Sequence, residues 1–133
     1  MRRPLLFCLA SLPVLLFQFA GQLPRPAAAS SSVVEWQTET DHDFGEIRAG
    51  SLTRFMFKFK NIDNQPIVVE TVRTTCGCTA AQWPTEPVQP GATGDIVIEY
   101  DSEKKGSFRK KIRVFFDRQK RAEILFVEGD VVE

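Results

Sequence analysis

The sequence predicts an all-β protein, a two-sheet antiparallel β-sandwich of seven or eight short strands behind a segment removed on export. Three observations carry that expectation. Apolar residues recur at period two, most clearly where Phe55, Phe57 and Phe59 oppose Arg54, Met56, Lys58 and Lys60. Turn-forming residues interrupt the chain at the spacing that short strands leave. No stretch repeats its apolar residues at helical spacing, and no internal repeat is visible. A chain of 133 residues, 43% hydrophobic, suits one domain with a core of its own.

The first 29 residues read as a secretory signal. Arg2 and Arg3 form a positive start, Leu5 to Ala20 is an apolar run, and Ala27-Ala28-Ala29 offers a small-x-small cleavage site. The run contains Pro13 and falls short of the roughly 20 apolar residues that a membrane span needs. Cleavage leaves Ser30 to Glu133, with 14 basic and 17 acidic side chains and a formal charge of −3. Cys8 leaves with the signal, so the mature chain keeps Cys76 and Cys78. The expected location is the periplasm or cell surface, an oxidising compartment. No later segment is long and apolar enough for a transmembrane span, and a mildly acidic exported chain is a poor candidate for nucleic-acid binding.

Residues 30–40 hold a short Ser-rich leader and a first strand from Val33 to Thr38, and 41–133 the sandwich. A brief strand is expected at Asp43 to Ile47, followed by the Arg48-Ala49-Gly50 turn. Leu52 to Lys60 is the strongest strand. Ile67 to Thr74 and Cys78 to Trp83 are weaker strands around a Cys-Gly-Cys segment, and Pro84 to Gly94 is a Pro-rich loop. Asp95 to Tyr100 alternates Ile96, Ile98 and Tyr100 against Asp95, Val97 and Glu99. Phe108 to Phe116 sets Phe108, Ile112, Val114 and Phe116 against Arg109, Lys111 and Arg113. Ala122 to Val132 closes the domain. Each clear strand has one apolar and one wet face.

Several spaced motifs then carry a resemblance. They run from His42-Asp43-Phe44-Gly45-Glu46-Ile47 through Phe57-Lys58-Phe59-Lys60-Asn61 and Pro66-Ile67-Val68-Val69 to Thr75-Cys76-Gly77-Cys78-Thr79. Pro87-Val88-Gln89-Pro90-Gly91, Gly94-Asp95-Ile96, Tyr100-Asp101-Ser102 and Gly129-Asp130-Val131 complete the series. The series resembles the bacterial family called domain of unknown function 1573, over about Asp41 to Glu133. The resemblance implies an exported Ig-like β-sandwich and brings no activity with it. The basic turn Arg118 to Arg121 departs from the more polar turn expected there, a difference assigned to partner choice rather than to fold.

Cys76-Gly77-Cys78 is the sharpest chemical signal. In an extended segment, residues i and i+2 share a face, and Gly77 lets the backbone bend to bring the sulfurs together. The pair could bind a soft ion as two thiolates, Cu(I) being the best match in ligand softness. It could form a strained, readily exchanged disulfide, since an extended i,i+2 pair lies near the upper limit of disulfide Cα spacing, or be structural, as buried small side chains or an inert bridge. Some copper-delivery proteins also carry Cys-x-Cys on an Ig-like domain, with a bulky aromatic residue where this chain has Gly77.

His42 is the sole histidine, and its simplest role is a polar residue at a strand entrance. Without a second histidine, a Gly-x-Ser-x-Gly or a phosphate-binding loop, no catalytic constellation is apparent. Charge placement is the second signal. Nine of the 14 mature basic residues lie between Lys104 and Arg121. Arg109, Lys111 and Arg113 share one strand face, either as a docking row for an anionic envelope partner or as a solvent face and guarded edge. The expectation is therefore a non-enzymatic binding or scaffolding module of the cell envelope, partnered by another envelope protein. Thiol chemistry at Cys76 and Cys78 is the alternative.

Overall fold

A computed structural model describes residues 31–133; the expected export signal and its expected cleavage site lie outside them. Eight strands form two four-stranded sheets and no helix occurs among the described residues. The strands are β1 (Val34–Trp36), β2 (Asp41–Arg48), β3 (Leu52–Asn61), β4 (Val69–Thr74), β5 (Thr79–Gln82), β6 (Thr93–Asp101), β7 (Gly106–Phe116) and β8 (Glu123–Val132). One sheet has the order β1-β3-β6-β5 and the other β2-β8-β7-β4. The chain stays within one sheet at β5–β6 and β7–β8, and every other connection crosses to the opposite sheet.

The alternation places the core where the sequence puts it. Phe57 and Phe59, Ile96 and Ile98, Ile112 and Val114, and Leu125 and Val127 are all fully buried between the sheets. Aromatic rings then couple the layers. Phe59 meets Phe116 edge to face at 5.2 Å, and Tyr100 stacks on Phe108 at 3.8 Å. Such pairs add about 0.5–1.5 kcal/mol each beyond the area that they bury.

One pairing departs from the antiparallel pattern: β2 runs parallel to β8. The register shifts between Asp43 and Glu46, where Gly45 takes φ +67° and its amide donates to Asp43 Oδ1 at 2.7 Å. Directly beside it, a Cβ at Gly129 would stand 2.9 Å from the Gly45 carbonyl oxygen. The two glycines are thus one device, a bulge and the close approach that accommodates it. β2 is longer than its sequence suggests because ladder bonds, rather than an apolar alternation, define its polar start.

The Asn61 to Pro66 turn is organised from inside. Asn61 is 1% exposed; its amide donates to Gln65 O and Val88 O at 2.9 Å each, while its side-chain oxygen accepts from Asp63 N at 2.8 Å. Val88, in the Pro-rich loop, is held by reciprocal backbone bonds with Ile67, so β4 begins only at Val69.

The basic turn after β7 also serves the fold. Arg118 pairs with Asp63, and Gln119 Oε1 accepts from Val33 N at 2.9 Å, pinning the start of β1. Glu123 accepts from Ser32 Oγ and from Trp36 Nε1. The segment expected to bear on partner choice therefore fastens the first strand. The Arg118 hydrogen bond, then the Asn64 amide, hold the Asp63 carboxyl below its ordinary value of 3.8. Its stabilising share is complete above that value and is lost as the pH falls through the lowered one.

Asn61→Ala would remove three hydrogen bonds that hold the turn, to Gln65 O, Val88 O and Asp63 N, so a loss of about 3 kcal/mol is expected in urea unfolding. Lys60→Ala on the exposed face should stay within about 0.5 kcal/mol.

Candidate functional site

The segment between β4 and β5 is a corner that carries the chain from one sheet to the other, and Cys76, Gly77 and Cys78 lie in its turn rather than in a strand. Cys76 and Cys78 form a disulfide with Cα atoms 5.4 Å apart, well inside the ordinary range. The extended geometry expected from sequence, and the strain inferred from it, are both absent. Gly77 has no positive φ and a Cβ there meets nothing within 4 Å, so the turn does not require a glycine.

Local bonds hold the corner in place. Thr74 Oγ1 lies 3.2 Å from Cys76 O and 3.1 Å from Thr79 O, and Asp101 N donates to Cys78 O at 2.9 Å. The buried Thr79 hydroxyl stands 3.6 Å from Cys76 Sγ. Cys78 packs against the small apolar cluster of Ile47, Tyr100 and Val131.

The corner faces the β6–β7 connection, which also crosses between the sheets, and the two enclose a cleft of about 490 Å³. Its lining includes Cys76, Cys78, Tyr100 and Phe108, the cations Lys104 and Lys110, and the carboxylates Asp101 and Glu103. The stacked Tyr100 and Phe108 rings give it an apolar side. Burial, then the neighbouring Asp101 charge, push the Tyr100 phenol above its usual value, so this side stays neutral. Lys110 escaped the sequence reading although the pattern held the signal: it occupies an inward position between Phe108 and Ile112, where an apolar residue is the rule. Lys105, at the same cleft, is paired with Glu133, whereas Lys104 and Lys110 have no ion pair among the described residues.

The row expected to dock a partner lies elsewhere, on the outer face of the β2-β8-β7-β4 sheet, and its members differ. Arg109 is engaged internally: it reaches Asp41 at 2.7 Å and Glu128 at 2.6 Å and lies 4.1 Å above the Phe126 ring. Lys111 leans towards Phe126 without a carboxylate partner among the described residues. Arg113 sits directly opposite Arg73 in the register, and neither has an ion-pair partner among the described residues. Arg73 covers Phe115, 5.2 Å away. Arg73 went unnoticed in the sequence because its neighbour in space is 40 positions along the chain.

His42 is not part of the cleft lining. Its ring stacks on Phe55 at 3.6 Å and its Nδ1 lies 2.5 Å from Glu39. Among the described residues, no three His, Cys, Asp or Glu side chains cluster to hold a metal ion. Cu(I) would rest on Cys76 and Cys78 alone, and only once the bridge is reduced.

The architecture is that of an Ig-like, PapD-like β-sandwich. The chain belongs to the DUF1573 family of proteins of unknown function, whose profile matches residues 34–131. The match begins at β1, which is thereby part of the domain. A protein of unknown function from Porphyromonas gingivalis W83 is similar at 21% identity and TM-score 0.64 over 80% of this chain; this chain spans 50% of that one. A PapD-like domain of human CEP192 aligns at 11% identity and TM-score 0.69, covering 86% of this chain and 96% of that one. The YadV chaperone aligns at 11% identity and TM-score 0.56 over 77% of this chain and 53% of its own. No curated protein matches the chain in sequence.

A bridge that closes so short a loop contributes little chain entropy, about 1.6 kcal/mol for three residues. Replacing both Cys76 and Cys78 by Ser should therefore cost no more than about 2 kcal/mol in denaturant unfolding, with the circular-dichroism spectrum unchanged.

Proposed function

We propose that the chain is an exported, non-enzymatic binding module of the bacterial cell envelope. It engages an acidic surface of another envelope protein through the outer face of the β2-β8-β7-β4 sheet. The carrying observation is the Arg73–Arg113 cross-strand pair. Like charges directly opposite each other destabilise a sheet, and these two have Lys111 on the same face and no carboxylate paired with them among the described residues. Edge protection accounts for Arg73, on the edge strand β4, but not for Arg113, because β7 lies between β8 and β4 inside the sheet. An anionic partner would relieve the repulsion, and Phe115 and the exposed Ile124 supply apolar contact beside it.

The non-enzymatic reading is supported by the surroundings of His42, which is engaged by Phe55 and Glu39 rather than by a nucleophile. No helix of the described residues is long and apolar enough to cross a membrane.

Poly-L-glutamate serves as the probe for an acidic surface. Arg73→Glu with Arg113→Glu is expected to weaken its binding at low salt at least tenfold, about 1.4 kcal/mol. Lys60→Glu with Lys120→Glu, the same charge change at other sites, should leave it within about twofold. Equal losses in both variants would sink the docking face, because the attraction would then follow net charge alone. Export is checked separately: the secreted protein should have an intact mass that begins at Ser30.

A further inference from the structure

We propose that Cys76–Cys78 is an exchangeable disulfide that oxidises thiols carried next to a negative charge, taken up in the cleft between the β4–β5 corner and the β6–β7 connection. This activity is independent of the docking face, which lies on the outside of the sheet.

Four features converge on it. The bridge is half-buried and lines a cleft, instead of being sealed in the core as a structural staple would be. Its i,i+2 closure gives the fold little that the surrounding hydrogen bonds do not already supply. Cations outnumber carboxylates in the cleft lining, with Lys104, Lys105 and Lys110 against Asp101 and Glu103, and Lys104 and Lys110 have no ion pair among the described residues. Finally, the two sulfurs have different surroundings. The Thr79 hydroxyl faces Cys76 Sγ, while Cys78 rests on the apolar Tyr100 side. A hydroxyl donor stabilises the charge that develops on a departing sulfur, and Thr79 supplies one to Cys76, which makes Cys76 the better leaving group.

The chemistry balances without a metal. The incoming thiolate attacks Cys78 Sγ, an intermolecular S–S bond forms, the Cys76–Cys78 bond breaks, and Cys76 leaves as the thiolate. A second donor thiolate attacks the donor sulfur of the mixed disulfide and expels Cys78. Two donor thiols thus become one disulfide, and two electrons and two protons pass to Cys76 and Cys78. The bridge is restored by the reverse reaction with another disulfide-bearing compound. A cleft of about 490 Å³ accommodates a small anionic thiol or the side chain of a cysteine in an acidic peptide segment.

The test follows reduction of the full mature chain in native buffer, by alkylation and intact mass. Three donors are compared: glutathione, a cysteine peptide flanked by glutamates, and the cationic thiol cysteamine. After correction for thiolate fraction, at least one anionic donor should outpace cysteamine by on the order of tenfold at low salt. That preference should fall as salt is added. The anionic donor that reacts faster identifies the source of the thiol. Lys104→Glu with Lys110→Glu should abolish or invert the preference. Lys104→Glu alone, at an exposed loop position, should reduce it without burdening the fold. A bridge that is reduced only in urea overturns the proposal. So does an unchanged order of donors in both lysine variants.

Discussion

Burial at period two is the constraint on which the rest of this molecule depends. Strands of both sheets send their apolar residues between the sheets, and ladder bonds fix the register, so every side chain has its face assigned by its position along the strand. Charged residues on β7 are thereby sent outward as a row, and the one charged residue on its inward phase, Lys110, is placed at the end of the layer, where the apolar packing gives way to the cleft. The separation of the outer basic face from the inner cleft is a direct result of this parity. Two neighbours in sequence, Arg109 and Lys110, thus serve opposite sides of the sheet.

The strands were legible because alternation is a local signal. Phe55 to Phe59, Ile96 to Tyr100 and Phe108 to Phe116 name their buried faces without reference to any partner. What remained hidden depends on distant neighbours. The parallel pairing of β2 with β8 joins the two ends of the domain, and no local pattern announces it. Ile67 reads as strand but pairs with Val88 across a Pro-rich loop. The turn Arg118 to Arg121 reads as a matter of partner choice, yet Arg118 and Gln119 hold Asp63 and Val33 in place. Gly45 and Gly129 stand out as motif residues, but only their contact in space explains why both are glycines.

The candidate site was half visible. Cys76 and Cys78 announced themselves, and their turn at a sheet-crossing corner replaced the extended geometry that sequence alone suggests. The reason to consider exchange therefore moves from strain in the bridge to the company it keeps in the cleft. The basic cluster was visible as a count, but it divides into Arg109, neutralised by Asp41 and Glu128, Lys104 and Lys110 at the cleft, and Arg113 facing Arg73. Such a division needs coordinates, because it depends on which strand lies beside which.

The crossing connections carry a kinetic consequence. With only two connections joining neighbours in one sheet, nearly every stabilising contact requires closing a long loop before it gives anything back, as in slow-folding β-sandwiches. The bridge between Cys76 and Cys78 is the opposite kind of contact, since its ends are adjacent in any conformation of the chain. It can close while the polypeptide is still unfolded, and no native pairing has to precede it. Oxidation therefore need not wait for folding, and the link between the two is no stronger than the small chain entropy of a three-residue loop.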